Sequence, residues 1–460
     1  MRGGRSLLIL LVLAVGLGSY IYFVESKRDT SAPEEKREKV FSVSAEKIDE
    51  VEVHAASGEV TTLKRNGTEW TIAVPAGIDA DGNTAASLAQ SLESLERQKV
   101  LDENPASVKA YGLEPARFSV TFKVAGDATA HRLDVGSKTP TGGDLYARAD
   151  GQPRLFLISA FNEESLNRTT FDLRDKTILK FERDGIDGLT LESSDGPALA
   201  LSRKGENWRM TKPLDARADF STVDSVVGRV FQAQMKAIES PDGTKDLKKY
   251  GLDKPQVVAT LAAGSTRAQL AIGGKKDDGT LYARDLSRPI IFAVDKTLLD
   301  DLKKKADDLR IRDIFEFRSF TALSLDITEG GTAYAFAKEK GPAPAAPAGG
   351  TPPAAPAAPV EAWKQQKPAD KAVNETAMTD LLNTLSTLRA DKFTDKAFAS
   401  GQDLVVVAKF GDAAAAKEER VILRKSGDTV HAIREGEAGA AVIPTAEFDK
   451  AIAQIKELVK

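Results

Sequence analysis

Apolar and polar residues alternate in short runs along this chain, and the runs recur in a fixed order. Ile48-DE-Val51-E-Val53, Ile186-DG-Leu189-T-Leu191 and Phe320-TA-Leu323-S-Leu325 share one spacing of apolar positions. Period-two alternation puts one face on a core and the other in water, so each run predicts a half-buried strand. A turn and a second strand follow: VTTLKRNG, ALALSRKG and AYAFAKEKG, with Asn66-Gly67 and Lys204-Gly205 at the hairpin turn. A tryptophan strand comes next and completes a β-meander. It opens the pattern Trp70-x4-Pro75-x5-Asp81, Trp208-x4-Pro213-x5-Asp219 and Trp363-x4-Pro368-x5-Asn374, which uses the only three tryptophans of the chain. Asp81, Asp219 and Asn374 are helix-capping residue types, whose side-chain oxygens accept from the free N–H groups of a first turn. Behind them run Leu88, Leu92, Leu95; Val226, Val230, Ala233; and Leu381, Leu385, Leu388. The spacing i, i+4, i+7 is one helix face, so each module packs one amphipathic helix on its sheet.

The chain therefore reads as a tandem array. A tryptophan at one structural position in every copy reads as packing between strand and helix, because repeats share cores rather than ligands. The first strand recurs 134 residues on, from Ile186 to Phe320, and the tryptophan 155 residues on, from Trp208 to Trp363. The difference, 21 residues, is assigned to the Pro/Ala-rich tract at 340–359 of copy three, a surface loop or spacer.

The second half of the module is clearest in copies one and two. Tyr111-Gly112-Leu113-E-Pro115 matches Tyr250-Gly251-Leu252-DK-Pro255; Gly136-S-Lys138 matches Gly273-G-Lys275; Leu145-Tyr146-Ala147-Arg148 matches Leu281-Tyr282-Ala283-Arg284. Both copies close on Asp-Leu-Arg, at 172–174 and 308–310, a segment expected to pack the joint with the next module. Copy three keeps the order of strands and a final helix but has none of these motifs, and terminal repeats are usually atypical.

With these motifs in order and repeated, the chain resembles the bacterial family of domain-of-unknown-function 4340 proteins, which carry a membrane anchor followed by such modules. Members are often encoded beside components of a gliding-motility type ABC transporter. The resemblance implies an accessory role in the envelope and supplies no catalytic residues.

At the N-terminus, Ser6 to Val24 is a run of 19 residues without a charge. As a helix it is about 28 Å long, close to the hydrocarbon thickness of a bilayer. Arg2 and Arg5 precede it, which keeps the N-terminus cytoplasmic and sends the bulk of the chain across. An uncleaved anchor is expected; the rival reading is a cleaved signal peptide, although YIYFVESKRD lacks a clean small-x-small site.

Composition narrows the chemistry. Lys+Arg 64 against Asp+Glu 68 gives a net charge of −4, which is no footprint for nucleic acid. Cysteine is absent, which removes disulfides, thiolate zinc sites and thiol nucleophiles. His54, His131 and His431 form no spaced pair, and the chain has no P-loop, His-Glu-x-x-His or Gly-x-Ser-x-Gly. The neighbouring acids Glu163-Glu164, Asp277-Asp278 and Asp307-Asp308 read as solvated surface. The remaining candidates for an anion or partner contact are Lys138 and Arg148 in copy one and Lys275 and Arg284 in copy two, beside glycine turns. In the competing reading glycine turns the chain, tyrosine packs, and the cations face water or pair with acids.

The expected organisation is α+β: a cytoplasmic 1–5, a transmembrane anchor 6–24, a stalk 25–39, and three modules at 40–181, 182–317 and 318–460. Each module is a mostly antiparallel sheet with one principal helix. No catalytic, cofactor or metal residues are assigned. The expected protein is a single-pass, non-enzymatic accessory or scaffold of a bacterial envelope transport complex of the ABC type. It is held in the inner membrane through 6–24, with its bulk periplasmic and its partners in the envelope or transporter. The alternatives are a binding module for envelope glycan or peptide and an unrecognised hydrolase.

Overall fold

A computed structural model describes residues 37–340 and 361–460, apart from 128 and 244. The expected anchor at 6–24 and the Pro/Ala tract from 341 to 359 lie outside the described residues. No helix among the described residues is long and apolar enough to cross a membrane. The chain divides into two compact units between Lys176 and Thr177.

The first unit holds one nine-stranded antiparallel sheet. Its strands are β1 (Ile48–His54), β2 (Val60–Asn66), β3 (Glu69–Val74), β4 (Ile78–Asp79), β5 (Lys99–Asp102), β6 (Phe118–Val124), β7 (Ala130–Lys138), β8 (Asp144–Ala149) and β9 (Leu155–Ser159). Their order in the sheet is β4-β3-β2-β1-β6-β7-β8-β9-β5. The principal helix α1 (Gly82–Glu93) and two short helices, α2 (Asn162–Leu166) and α3 (Thr170–Leu173), cover one face.

The second unit repeats this sheet twice. The first of its sheets comprises β10 (Gly188–Ser193), β11 (Leu199–Lys204), β12 (Asn207–Lys212), β13 (Ala216–Ala218), β14 (Ala237–Ser240), β15 (Val257–Ala263), β16 (Thr266–Lys275), β17 (Leu281–Asp285) and β18 (Ile291–Val294). Its helices are α4 (Phe220–Gln232), α5 (Lys296–Leu302) and α6 (Ala306–Leu309). The other sheet comprises β19 (Ala322–Glu329), β20 (Thr332–Lys340), β21 (Glu361–Lys367), β22 (Lys371–Ala372), β23 (Lys392–Thr394), β24 (Gln402–Phe410), β25 (Lys417–Ser426), β26 (Thr429–Arg434) and β27 (Ala440–Ile443). Here the principal helix is α7 (Glu375–Ser386), and one longer helix, α8 (Thr445–Leu458), replaces the two short ones.

Three modules of one α+β plan are thus present. Asp81, Asp219 and Asn374 cap α1, α4 and α7, accepting from the N–H of Thr84, Thr222 and Ala377 at 2.9, 2.8 and 3.0 Å. The tryptophans are buried, at 6%, 4% and 5% exposure for Trp70, Trp208 and Trp363. Each has a basic residue as its partner on the neighbouring strand: Arg65, Arg203 and Lys338. Arg65 and Lys338 lie 5.9 and 5.6 Å from the indole centroid, a cation–π arrangement. Pro75, Pro213 and Pro368 follow cis peptide bonds. Every stripe residue on the helices is buried except Ala233, which is half-buried at the end of α4.

One alignment needs correction. Phe320 and Leu323 do not belong to the core face of β19: Phe320 is 80% exposed, and the buried residues are Ala322, Leu325 and Ile327. Leu325 pairs with Phe336 as Leu189 pairs with Leu201 and Val51 with Leu63. Leu323 is displaced by a bulge between Ala322 and Ser324, which turns it off the core. Ala322 is therefore the counterpart of Ile186, 136 residues on, and the insertion shrinks from 21 residues to 19.

Candidate functional site

The motifs shared by the first two modules meet on the sheet face opposite the principal helix. In module one the turn Lys109–Tyr111 ends on Gly112, at φ 71°, and lays its backbone over β7. A Cβ at Gly136 would stand 2.1 Å from the Tyr111 carbonyl oxygen. In module two a Cβ at Gly273 would stand 2.4 Å from the Tyr250 oxygen. Glycine is required here by close approach, not by a hairpin turn. Both glycines sit at a bulge, and their carbonyls accept from the residue before the adjoining strand: Arg117 Nε at 3.0 Å and Gln256 Nε2 at 2.6 Å.

The tyrosines of the two motifs then meet. Tyr111 packs on Tyr146 with ring centroids 4.7 Å apart, and Tyr250 on Tyr282 at 5.0 Å. Val108, Leu113 and Leu155 complete a small second core in module one; Leu252, Ala271 and Ile291 do so in module two. Module three builds the same place from other residues. Phe398 and His431 stack at 3.7 Å, and Arg424 and Asp403 form a two-pronged ion pair at 2.7 Å where Gly136 and Arg117 stand in module one. Its covering loop, 395–401, has 7 residues, against 15 at 103–117 and 16 at 241–256.

The four candidate cations are dispersed among separate partners. Lys138 pairs with Glu163 at 2.9 Å, which also takes Arg117 at 2.6 Å. Burial would raise the Glu163 pKa, but the bonds from Arg117 and Lys138 outweigh it and hold the carboxyl below its usual range. Glu163 is therefore no free surface acid, contrary to expectation. Arg148 pairs with Asp134 at 3.2 Å, beside Arg132 at 2.8 Å. Arg284 donates to the Arg288 carbonyl at 3.4 Å. Lys275 is exposed and has no ion pair among the described residues. Lys138 and Arg148 share no acceptor, and neither do Lys275 and Arg284.

The histidines are equally separate. His54 contacts Glu52 at 2.7 Å, His131 contacts Asp150 at 3.3 Å, and His431 lies in the small core of module three. No cluster of His, Asp and Glu suited to a metal ion occurs among the described residues.

A family model described as "Domain of unknown function (DUF4340)" matches residues 70–207 and again 208–404. The chain belongs to this family. Each match to the DUF4340 model opens on a tryptophan, Trp70 and then Trp208, so the family unit recurs with the period of the sheets. The second match ends at Leu404 in β24, before the last three strands and the final helix of module three. No curated protein and no solved structure matches the chain.

Sequence reasoning missed the contact between modules two and three. Arg217, next to the β12–β13 turn, pairs with Glu437 and donates to the Asp313 and Ile314 carbonyls at 3.0 and 3.3 Å. Arg434 bonds Glu419, whose carboxylate also accepts from the N–H of Glu316 and Phe317, each at 2.9 Å. The Asp-Leu-Arg segment is part of this joint through Arg310, 5% exposed and 3.9 Å from the Phe393 ring centroid. It also closes its own module, since the Leu309 carbonyl accepts from the capping residue Asp219 at 2.8 Å. Nothing in the linear order brings Arg217 and Glu437 together.

Proposed function

We propose that the protein is a non-enzymatic accessory or scaffold of a bacterial envelope transport complex of the ABC type. It is anchored in the inner membrane through 6–24, with its modules extracytoplasmic. The observation that carries this reading is the use made of the shared motifs. The glycines and tyrosines that stood out as a ligand signature are occupied in close backbone packing and ring contacts, and Lys138 and Arg148 in ion pairs, while Lys275 and Arg284 converge on no common acceptor. Residues committed to packing within each module suit a protein whose work is done by surfaces. The charge-free run at the N-terminus and the gliding-motility type transporter association implied by the family resemblance add the envelope setting.

A glycan- or peptide-binding module is the second reading, and the burial of all three tryptophans counts against a stacking platform. Affinity purification of the full chain from detergent-solubilised membranes separates them. Recovery of transporter or envelope subunits supports the scaffold; their absence, with retention on envelope glycan or peptide, rejects it.

A further inference from the structure

The sheet face away from the principal helix changes character between module one and module three. Leu325 and Ile327 stand where Val51 and Val53 do, so strand pairing matches the two faces position by position. One row of module one holds His54, Ser119, Asp134 and Arg148; in module three it holds Thr328, Val405, Ile422 and Ile433. The next row runs Thr62, Glu52, Thr121 and Arg132 in module one, and Ala335, Asp326, Val407 and Arg420 in module three. Charges on the first face pair among themselves, Glu52 with His54 and Asp134 with both Arg132 and Arg148. On the third face, half-buried β-branched side chains replace most of them. The two charges that remain beside Val407, Asp326 and Arg420, are exposed and have no ion pair among the described residues.

A one-sided antiparallel sheet normally keeps its outer face polar. Module one obeys this and module three does not, which marks the third face as a contact surface. Its charges say with what. Asp326 on β19 and Arg420 on β25 flank Val407 on β24, one to each side. A two-fold axis along β24, above Val407, lays β19 of one copy over β25 of the other. Each Asp326 then meets the other copy's Arg420, and the valines meet on the axis, so the face is complementary to itself. Aligned sheets cross at about 30°, too little to part residues that lie one strand, about 4.8 Å, from the axis. Five strands at that spacing and three rows about 7 Å apart give roughly 500 Å² per copy, or about 1,000 Å² for the pair, where specific interfaces begin. From the loss of charge, the unpaired Asp326 and Arg420 and their placement about Val407, we infer that module three pairs face to face with a second copy of this chain.

Sedimentation equilibrium of the full chain in density-matched detergent tests this. The native chain should dimerise with a Kd on the order of 10 μM. Asp326→Arg and Arg420→Asp should each weaken association at least about tenfold, because both contacts become like-charged. The double reversal should restore it. The two single variants, mixed, should pair with each other, since both contacts are then opposite in sign. A native chain still monomeric about twentyfold above that Kd overturns the inference, whatever other protein covers the face. Dimers that ignore both reversals form through another surface and overturn it too, as does failure of the double variant or of the mixture to recover association. Should the single variants fail to fold, Val407→Lys brings two ammonium groups together on the axis, and undiminished association in that variant overturns it instead.

Discussion

Phe398 and His431 stack face to face, 3.7 Å apart with ring planes 7° from parallel, where the other two modules bring two tyrosines together. The Phe398 N–H donates to His431 Nδ1 at 3.2 Å, so the ring must leave that nitrogen unprotonated. Burial, and secondarily Lys392, lowers the His431 pKa from 6.5. Below pH 6.5 the unfolded chain takes up the proton before the folded one, so stability falls until the folded ring titrates at its lower value. Above pH 6.5 this contribution is constant. Urea unfolding at pH 7.5 and 5.5 should show the loss in the native protein and a flatter response in His431→Tyr. An equal loss in both would remove His431 as the cause.

Gly136→Ala drives a methyl group into the Tyr111 carbonyl and should destabilise the first unit by about 1–3 kcal/mol or more, the usual range for overpacking. Gly82→Ala is the control: it meets no atom within 4 Å and lies at the first position of α1. It should be neutral or slightly stabilising. Denaturation midpoints of the two variants decide; equal midpoints would contradict the close approach.

Each capping residue supports one helix. Asp81→Ala and Asn374→Ala should each cost about 1 kcal/mol, because one first-turn N–H loses its acceptor. Asp81→Asn, which keeps the oxygen, should restore most of it. Chemical denaturation of all three variants distinguishes the cap from a general loss of packing.

Ion pairs should divide by burial. Glu419 is 2% exposed in its side chain and serves Arg434 and two backbone N–H groups. Glu419→Ala should cost about 3–5 kcal/mol, since it strands a buried cation. Lys138, 54% exposed, should lose less than about 1 kcal/mol on Lys138→Ala. Comparable losses for the two would show that burial is not what sets their worth.

Most of the module was legible because its signals are local. Strand alternation, the hairpin glycines, the helix stripes and the Asp81, Asp219 and Asn374 caps each follow from spacing within a few residues. Phe320 misled for the same reason: its spacing to Leu323 and Leu325 copied the other modules, while the strand's true counterparts of Ile48, Val51 and Val53 are Ala322, Leu325 and Ile327, with a bulge after the first of them in both modules. The pairing of Lys138 with Glu163 and of Arg148 with Asp134 was open in the sequence and is a matter of register. The Phe398–His431 counterpart of the tyrosine pair was hidden because the residue types changed although the strand positions did not. The joint around Arg310 depends on residues more than a hundred positions apart, such as Arg217 and Glu437, which no periodicity links.

The tight fit of a turn carbonyl against a strand glycine has a consequence for recombination. In the first two modules the gaps lie on both sides, at Gly136 and Gly273 on the strand and at Gly112 and Gly251 in the loop; in the third the loop supplies one at Gly401, whose added Cβ would stand 2.4 Å from the Lys425 carbonyl. The two surfaces are fitted to each other differently in the third module. A loop exchanged alone between module three and either of the others would meet a strand shaped for a different backbone. These loops can be transplanted only with the strand they rest on, so the heritable unit in this fold is the loop–strand pair.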